Sequence, residues 1–514
     1  MSSLSINYLS ADPDVLEQQL PFPELLKNFK STLKEVFDDH GSADHLSVKR
    51  GFQPQAFNDI MAYNPLAFSI PPAYGGRAGI VHENLELISA ASYESLALSL
   101  TIGINSALFL LPVGKYAEES VKKAVFKRFL EDKCMGGLMI TEPGHGSDAL
   151  GMQTSYTEHG DYYHLQGKKH WQGLTGFANY WLVTARNLNL DGSLKRDIDF
   201  FICDMSVQDQ KIEVEEYFEN LGLYMIPYGR NRIDIKVPHL QRLQPRTSGI
   251  HMMLDLLHRS RIMFPGMGLG FIKRMLDEAI LHCQNRMVGN KSLLNYDQVQ
   301  QRLARLQADF TICSALCLVS SDLADIKNDL VPYGVEANII KSVTSDLMQE
   351  SSQSLLQLVG AKGYRLNHLA GRAIVDSRPF QIFEGSNDIL YTQISESVLK
   401  LMKNEKETNF FQFLKSYHLT LRSADYLKEL LNFDVFAQTS QRKLVELGKV
   451  ISRVVSMEYV LKMGDLGFHA DLISGAIAML KQEITVMLSS YTYRNATLVV
   501  ESYEERGAWH KFVK

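Results

Sequence analysis

Glu384 is the residue best placed to do chemistry. It follows Phe380, Ile382 and Phe383 and precedes Gly385. A carboxylate among apolar neighbours is harder to ionise than one in water, so its pKa rises. A base tuned in this way works near neutral pH. Gly385 has no Cβ and lets a ligand approach the backbone closely. Ser386, Asn387 and Asp388 read as a cap cluster, which predicts a helix from about Ile389 to Leu401. Glu384 is therefore expected on a short turn at the mouth of a helix.

A second stretch suited to holding a ligand begins at Gly136. An apolar strand through Leu138 and Ile140 runs into Thr141-Glu142-Pro143-Gly144-His145-Gly146-Ser147-Asp148. Such a loop offers backbone N–H groups and the hydroxyls of Thr141 and Ser147. It is not a phosphate-binding P-loop, which needs a Gly-Lys-Ser/Thr ending and a following helix.

The elements around these stretches follow from hydrophobic periodicity. Residues 1–133 read as helical, broken by Pro21, Pro23, Pro65, Pro71 and Pro72. Asn84–Ala91 and Glu118–Asp132 are amphipathic helices. From Met135 to about Pro245 short β runs alternate with turns, among them Tyr162–Leu165, Tyr180–Ala185, Asp197–Asp204 and Arg232–Val237. Helical stripes return with Ile272, Leu276, Ala279 and Cys283, then with Val299, Leu303, Leu306, Phe310, Cys313 and Cys317. A further helix runs from about Val335 to Val359 and stops at Gly360. Beyond Lys403 the chain is helical again, with a stripe at Leu444, Leu447, Ile451 and Val454.

The expected fold is α+β and mainly α. It comprises an N-terminal helical domain (1–133), a small antiparallel β domain (134–245), a C-terminal four-helix bundle (246–403) and a helical extension (404–514).

The 514 residues are 45% hydrophobic and 22% charged, ordinary for a soluble globular chain. A net charge of −5 and the absence of a dense Lys/Arg run give no reason to expect nucleic acid. Five scattered cysteines without a CxxC pair argue against a disulfide framework and against zinc, so no metal is expected. No basic, then apolar, N-terminal leader is legible. The uncharged segment Leu96–Val113 is marginal for a membrane span and reads as a buried helix. A cytoplasmic location is expected.

Taken together, the motifs resemble those of the acyl-CoA dehydrogenase family of flavoproteins. Thr141 to Asp148 matches its Thr-Glu-Pro-Gly-x-Gly-Ser-Asp signature. Ile70 to Gly76 resembles the family's "IPxxxGG" loop, and Gly167 to Trp171 resembles its strand with a tryptophan beside the flavin. Gly360 to Tyr364 resembles "GGxGF", and Phe383 to Ser386 resembles "YEGT". The order is the family's, over about residues 20–405.

The resemblance implies FAD as cofactor and an acyl thioester as substrate. Glu384 would remove the proton α to the thioester carbonyl while the β-carbon gives a hydride to the flavin. The Glu384 N–H would hydrogen-bond the carbonyl oxygen as charge develops on it. Leu138, Ile140, Thr141, Gly146, Ser147, Trp171 and Gly173 would line the flavin. Ser147, Arg261, Glu384 and Gly385 would meet the substrate. Arg286 would reach the FAD diphosphate of a neighbouring subunit, where its charge suits the anion, so a homodimer or homotetramer is expected. Gln357, Gly360, Ala361, Ser386 and Asp388 would hold the adenosine half. An electron-transfer flavoprotein would be the electron acceptor.

The chain departs from the family in places. Gly173 stands where a threonine usually meets the flavin, and Thr175 is the residue at hand to replace it. His258 replaces an aspartate three residues before Arg261, and Val375 replaces the arginine before Asp376. These changes leave open whether the acyl carrier is coenzyme A or an acyl-carrier protein. An oxidase, a flavin monooxygenase and a non-catalytic scaffold are the other readings of the same motifs. An intact Glu384 argues against the last two.

Overall fold

The computed structural model describes residues 20–38, 49–435, 440–493 and 499. The expectation of no leader peptide falls on residues 1–19, outside them. Among the described residues five α-helices come first: α1 (Phe22–Asp38), α2 (Pro54–Met61), α3 (Val81–Glu94), α4 (Leu96–Tyr116) and α5 (Glu119–Glu131). Ser95 caps α4, accepting from the Leu98 N–H at 3.3 Å. Within α4, Ser106–Leu110 forms one π-turn. At the residue before it, the side chain of Asn105 accepts the Gly136 N–H at 2.6 Å, fastening the first strand to the helix. Such a bulge re-aims the side chains that follow, a common device at functional sites.

Seven strands form one sheet: β1 (Gly136–Met139), β2 (Ser155–His159), β3 (Tyr162–Gly173), β4 (Tyr180–Asn187), β5 (Asp199–Asp204), β6 (Glu213–Tyr217) and β7 (Tyr228–Pro238). Most pairings are antiparallel, as expected. Two are not: β1 and β2 both lie parallel to β4. The sheet is therefore mixed, because β3 lies in the chain between β4 and both partners and no tight hairpin turn sets their direction. β4 is flanked on both edges and reads as a continuous buried run, Tyr180 to Ala185. In β7, by contrast, Ile233, Ile235 and Val237 are buried while their neighbours are exposed.

The second helical part begins with α6 (Gly249–Asn285), capped by Ser248, whose hydroxyl accepts the His251 N–H at 3.2 Å. After a two-residue-per-strand hairpin come α7 (Asp297–Leu323), α8 (Gly334–Val359), α9 (Leu369–Ser377) and α10 (Asn387–Glu405). α6 packs on α3, α7 and α8. It can do so because a Cβ on Gly270 would collide with the Ser89 carbonyl of α3, and one on Gly268 with Thr344 of α8. All four stripe residues of α6 are buried, Cys283 completely. α8 ends at Gly360, at φ 70°.

α11 (Phe410–Ser416), α12 (Gln441–Asp465) and α13 (Ala470–Thr492) follow. α12 packs on α10, and α13 on α12 and α7. Leu447, Ile451 and Val454 are fully buried, with Leu444 at the edge of the stripe. Three described helices are long and apolar enough to cross a membrane: Leu96–Tyr116, Asp297–Leu323 and Ala470–Thr492. The most apolar window of each is 83%, 56% and 39% buried within the fold, respectively.

Candidate active site

A cleft of about 500 Å³ lies between the sheet and the second set of helices. Each wall follows from a local pattern. α4 contributes Leu100, Ile104 and Leu108, four residues apart on one face. α6 contributes Met253, Leu257 and Arg261, again four apart. The sheet contributes Leu138, and the loop after β1 contributes Ile140, Thr141, Gly146 and Ser147. Glu384 and Gly385 close one end.

Glu384 sits on the expected turn, but the helix begins earlier, at Asn387, with Ser386 extended before it. Ser386 makes no side-chain cap bond there. Glu384 itself has a left-handed backbone, φ 55°, which a non-glycine residue adopts only when its surroundings hold it. Two contacts on the turn do so, one of them from an arginine that is itself anchored. The Arg261 Nε donates to the Glu384 carbonyl at 3.0 Å, and its Nη1 donates to Asn338 Oδ1 at 2.7 Å. Lys341 Nζ donates to the Gly385 carbonyl at 2.8 Å. Lys341 has a buried position on α8, among Ile339, Ile340 and Val343, and burial draws its pKa down to about 7.

The carboxylate is buried. Its Oε1 accepts the Ser260 hydroxyl at 2.8 Å, while its Oε2 has no hydrogen-bond partner within the protein. Burial pushes the Glu384 pKa up, and the Ser260 hydroxyl, Arg261 and Lys341 pull it partly back. The result is a raised carboxylate with one oxygen tied and the other free beside an apolar cleft.

Across the cleft, Trp171 is also left-handed, φ 65°. It lies at a register shift between His170 and Gln172, where β3 pairs with β7. The bulge turns Trp171 out of the sheet, leaving it 52% exposed and against Phe218, with ring centroids 4.7 Å apart. Under the loop after β1, Lys169 Nζ donates to Glu142 Oε1 at 2.9 Å, to the Ile140 carbonyl at 3.1 Å and to the Thr184 hydroxyl at 3.0 Å. Glu142 also accepts the N–H groups of Gln153 and Thr154. Within the 141–148 motif the glutamate is thus a strut for the loop.

Leu138, Ile140, Thr141, Gly146, Ser147, Trp171, Gly173, Arg261, Glu384 and Gly385 all line this one cleft. Thr175 does not. It is fully buried, its hydroxyl donating to the Gln172 carbonyl at 2.8 Å and accepting from Asn231 at 3.1 Å. It therefore cannot stand in for a threonine at 173. A Cβ at Gly173 would lie 3.1 Å from Ile104 and 3.3 Å from Ile226, closer than ordinary van der Waals contact. Ser386 and Asp388 face a second cavity, of about 600 Å³, toward α12 and α13. Arg286 lines a third, of about 330 Å³, with His282, Leu355, Val359 and Lys362. Gln357, Gly360 and Ala361 lie exposed at the end of α8 beside it. His258 is buried, with Nδ1 2.8 Å from the Leu330 carbonyl. Asp376 accepts the Leu223 N–H at 2.6 Å and so ties the sheet's 220s loop to α9. Ser260, Asn338 and Lys341 escape the sequence reading. Of these only Lys341 leaves a signal, as a lone cation on an apolar helix face.

Residues 137–234 match the acyl-CoA dehydrogenase middle domain, and residues 247–399 match the acyl-CoA dehydrogenase C-terminal domain. Both matched segments are thus domains of the acyl-CoA dehydrogenase type. It is 23% identical over 394 residues to the mitochondrial very long-chain specific acyl-CoA dehydrogenase of Mus musculus, across 75% of this chain and 59% of that one. It thus spans about three fifths of that relative's length. It is 27% identical to the caffeyl-CoA reductase-Etf complex subunit CarC of Acetobacterium woodii, across 75% of this chain and 99% of that one. In fold it is similar to butyryl-CoA dehydrogenase from Megasphaera elsdenii, with a TM-score of 0.65 at 20% identity over 74% of this chain and 99% of that one. It is also similar to an acyl-CoA dehydrogenase complexed with FAD from Bacillus anthracis. There the TM-score is 0.72 at 18% identity over 94% of this chain and 91% of that one, so the fold likeness reaches beyond residue 399.

Proposed function

We propose that the chain is an acyl-CoA dehydrogenase family member, an FAD-dependent acyl-thioester α,β-dehydrogenase in which Glu384 takes the α-proton. The observation that carries the reading is the free Oε2 of Glu384, buried beside an apolar cleft while Oε1 is held by Ser260. An α-C–H is a weak acid, and a carboxylate raised by burial is matched to it.

The residues present suit a flavin. A half-exposed indole at Trp171 offers a flat face. Leu138 and Ile140 supply apolar lining, and Thr141 and Ser147 supply hydroxyls beside Gly146, which has open space about it. FAD, when bound there, supplies the acceptor for the β-hydride. Leu100, Ile104, Leu108 and Leu257 exclude water from the acyl chain. The Glu384 N–H is the donor assigned to the thioester carbonyl, and the Arg261 contact to the Glu384 carbonyl fixes that peptide's neighbour. After reaction the proton resides on Glu384.

Ser386 and Asp388 are assigned to the cofactor's diphosphate–adenosine side. Arg286, at a separate cavity of the same chain, is assigned to the FAD diphosphate of a second copy, and Gln357, Gly360 and Ala361 beside it to the adenosine half of that cofactor. Coenzyme A and carrier proteins share the pantetheine arm, so the same cleft serves either. An electron-transfer flavoprotein is the proposed acceptor of the electrons.

The test is an anaerobic titration of the yellow protein with acyl-CoAs of increasing length and with acyl-carrier-protein thioesters. Bleaching by one class supports the reading and names the carrier. A protein that binds no FAD, or that no thioester bleaches, refutes it. Readmitting air then separates a dehydrogenase from an oxidase.

A further inference from the structure

The helices beyond residue 403 reach the turn that carries Glu384 through buried polar contacts. Arg453 on α12 is 1% exposed. Its Nε donates to Glu483 Oε2 of α13 at 2.8 Å, and its Nη2 donates to Asp346 Oδ2 of α8 at 3.1 Å. Tyr391 of α10 donates to the same Asp346 oxygen at 2.6 Å and accepts from Arg453 Nη1 at 3.2 Å. The other oxygen of Asp346 accepts Asn387 Nδ2 at 2.8 Å and Gln381 Nε2 at 2.8 Å. Asn387 Oδ1 in turn accepts Lys341 Nζ at 2.9 Å, and Lys341 holds the Gly385 carbonyl. The path from Glu483 to Gly385 is unbroken.

We propose that Arg453 is a positioning residue for the reaction: through Asp346, Asn387 and Lys341 it fixes the Glu384–Gly385 turn, so the C-terminal helices support the catalytic site. Three features favour this over an ordinary ion network between layers. The turn is left-handed at Glu384 and needs external restraint. Asn387, the first residue of α10, directs its side chain to Asp346 and Lys341. Asp346 has both oxygens engaged, one toward the extension and one toward the turn, so neither end can relax alone. Buried polar networks of this kind rigidify what they join.

The inference rests on the reading of Glu384 as the base, and its test is chosen to separate the two. Full-length Arg453→Met and Arg453→Lys are compared by hydrogen–deuterium exchange and by anaerobic flavin bleaching with the best thioester. Arg453→Met is expected to speed exchange of the amides of 384–391 about tenfold or more. It is expected to slow bleaching about tenfold with KM changed less than about twofold, and Arg453→Lys recovers most of both. Asn387→Ala cuts the path while leaving the Arg453–Glu483 pair intact, and reproduces the loss if the methionine variant does not fold. Exchange confined to α12 and α13, with bleaching at the wild-type rate, overturns the proposal. If no thioester bleaches the wild type, the Glu384 reading has failed, and exchange at 384–391 alone decides the positioning role.

Discussion

The Ser260 hydroxyl stands 2.8 Å from Oε1 of Glu384 and leaves Oε2 with no protein partner. One oxygen is thereby oriented and the other kept available, from a residue whose type alone carries no catalytic signal.

Ser260→Ala should move the acid limb of the pH–rate profile to higher pH. The hydroxyl favours the ionised carboxylate, so its loss leaves burial less opposed and the Glu384 pKa rises further. The base acts when ionised, so the rate falls at acid pH and keeps its alkaline plateau. A limb that stays in place, or moves to lower pH, contradicts the assignment. Stopped-flow bleaching across pH measures it.

Glu384→Gln should abolish bleaching, retain FAD and raise Tm at neutral pH. The folded-state pKa of Glu384 lies above its ordinary value of 4.5. Its favourable contribution is therefore full below that value and lost as pH rises through the raised one. Glutamine keeps an acceptor for Ser260 without the buried charge. The gain, roughly 1 kcal/mol as at other functional sites, should vanish toward pH 4.5 in thermal melts.

Lys169→Met should destabilise the chain by about 3–5 kcal/mol, since it leaves the Glu142 charge buried without its partner. The two side chains are 0% and 4% exposed. Adding Glu142→Gln should recover part of the loss. Chemical denaturation of the single and double variants gives the coupling between them. Independent, additive losses would show that the pair is not a strut.

Gly173→Thr should cost about 1–3 kcal/mol by overpacking, because Ile104, Ile226 and Tyr228 already stand 3.1–3.4 Å from the position of its Cβ. Ile104→Ala in the same chain should relieve it. If the single variant melts like the wild type, steric exclusion is not why glycine stands there.

Trp171, half-exposed in the cleft, gives a further readout of it. Adding FAD to apoprotein should quench Trp171 emission by covering its half-exposed ring, and Trp171→Phe should remove that change. A fractional quench as large in the Trp171→Phe protein, which keeps the chain's other two tryptophans, as in the wild type would contradict the place of Trp171 beside the flavin.

Much of this arrangement is legible in the chain itself. Apolar stripes at helical spacing delimit α6, α7 and α8, because a buried helix face must repeat in that way. Glu384 declares itself through its apolar neighbours, the glycine after it and the cap cluster. What stays hidden is non-local. Nothing in Gly136–Met139 or Ser155–His159 tells that both pair in parallel with β4, since partner choice is settled across long connections. Thr175 looks available beside Trp171, yet the turn folds its hydroxyl back onto Gln172 and Asn231. Asn387 reads as a capping residue, and its side chain instead bonds Lys341 and Asp346. The left-handed backbones of Trp171 and Glu384 have no compositional signature, because tertiary contacts impose them.

Those two backbones bear on any attempt to engineer this protein for heat resistance. Glycine at 171 and asparagine at 384 both take left-handed angles more readily than the residues present. A library sorted by stability alone would therefore enrich replacements at both walls of the cleft. The sorted pool would gain melting temperature and shed its indole and its carboxylate together, so selection on this scaffold has to hold positions 171 and 384 fixed.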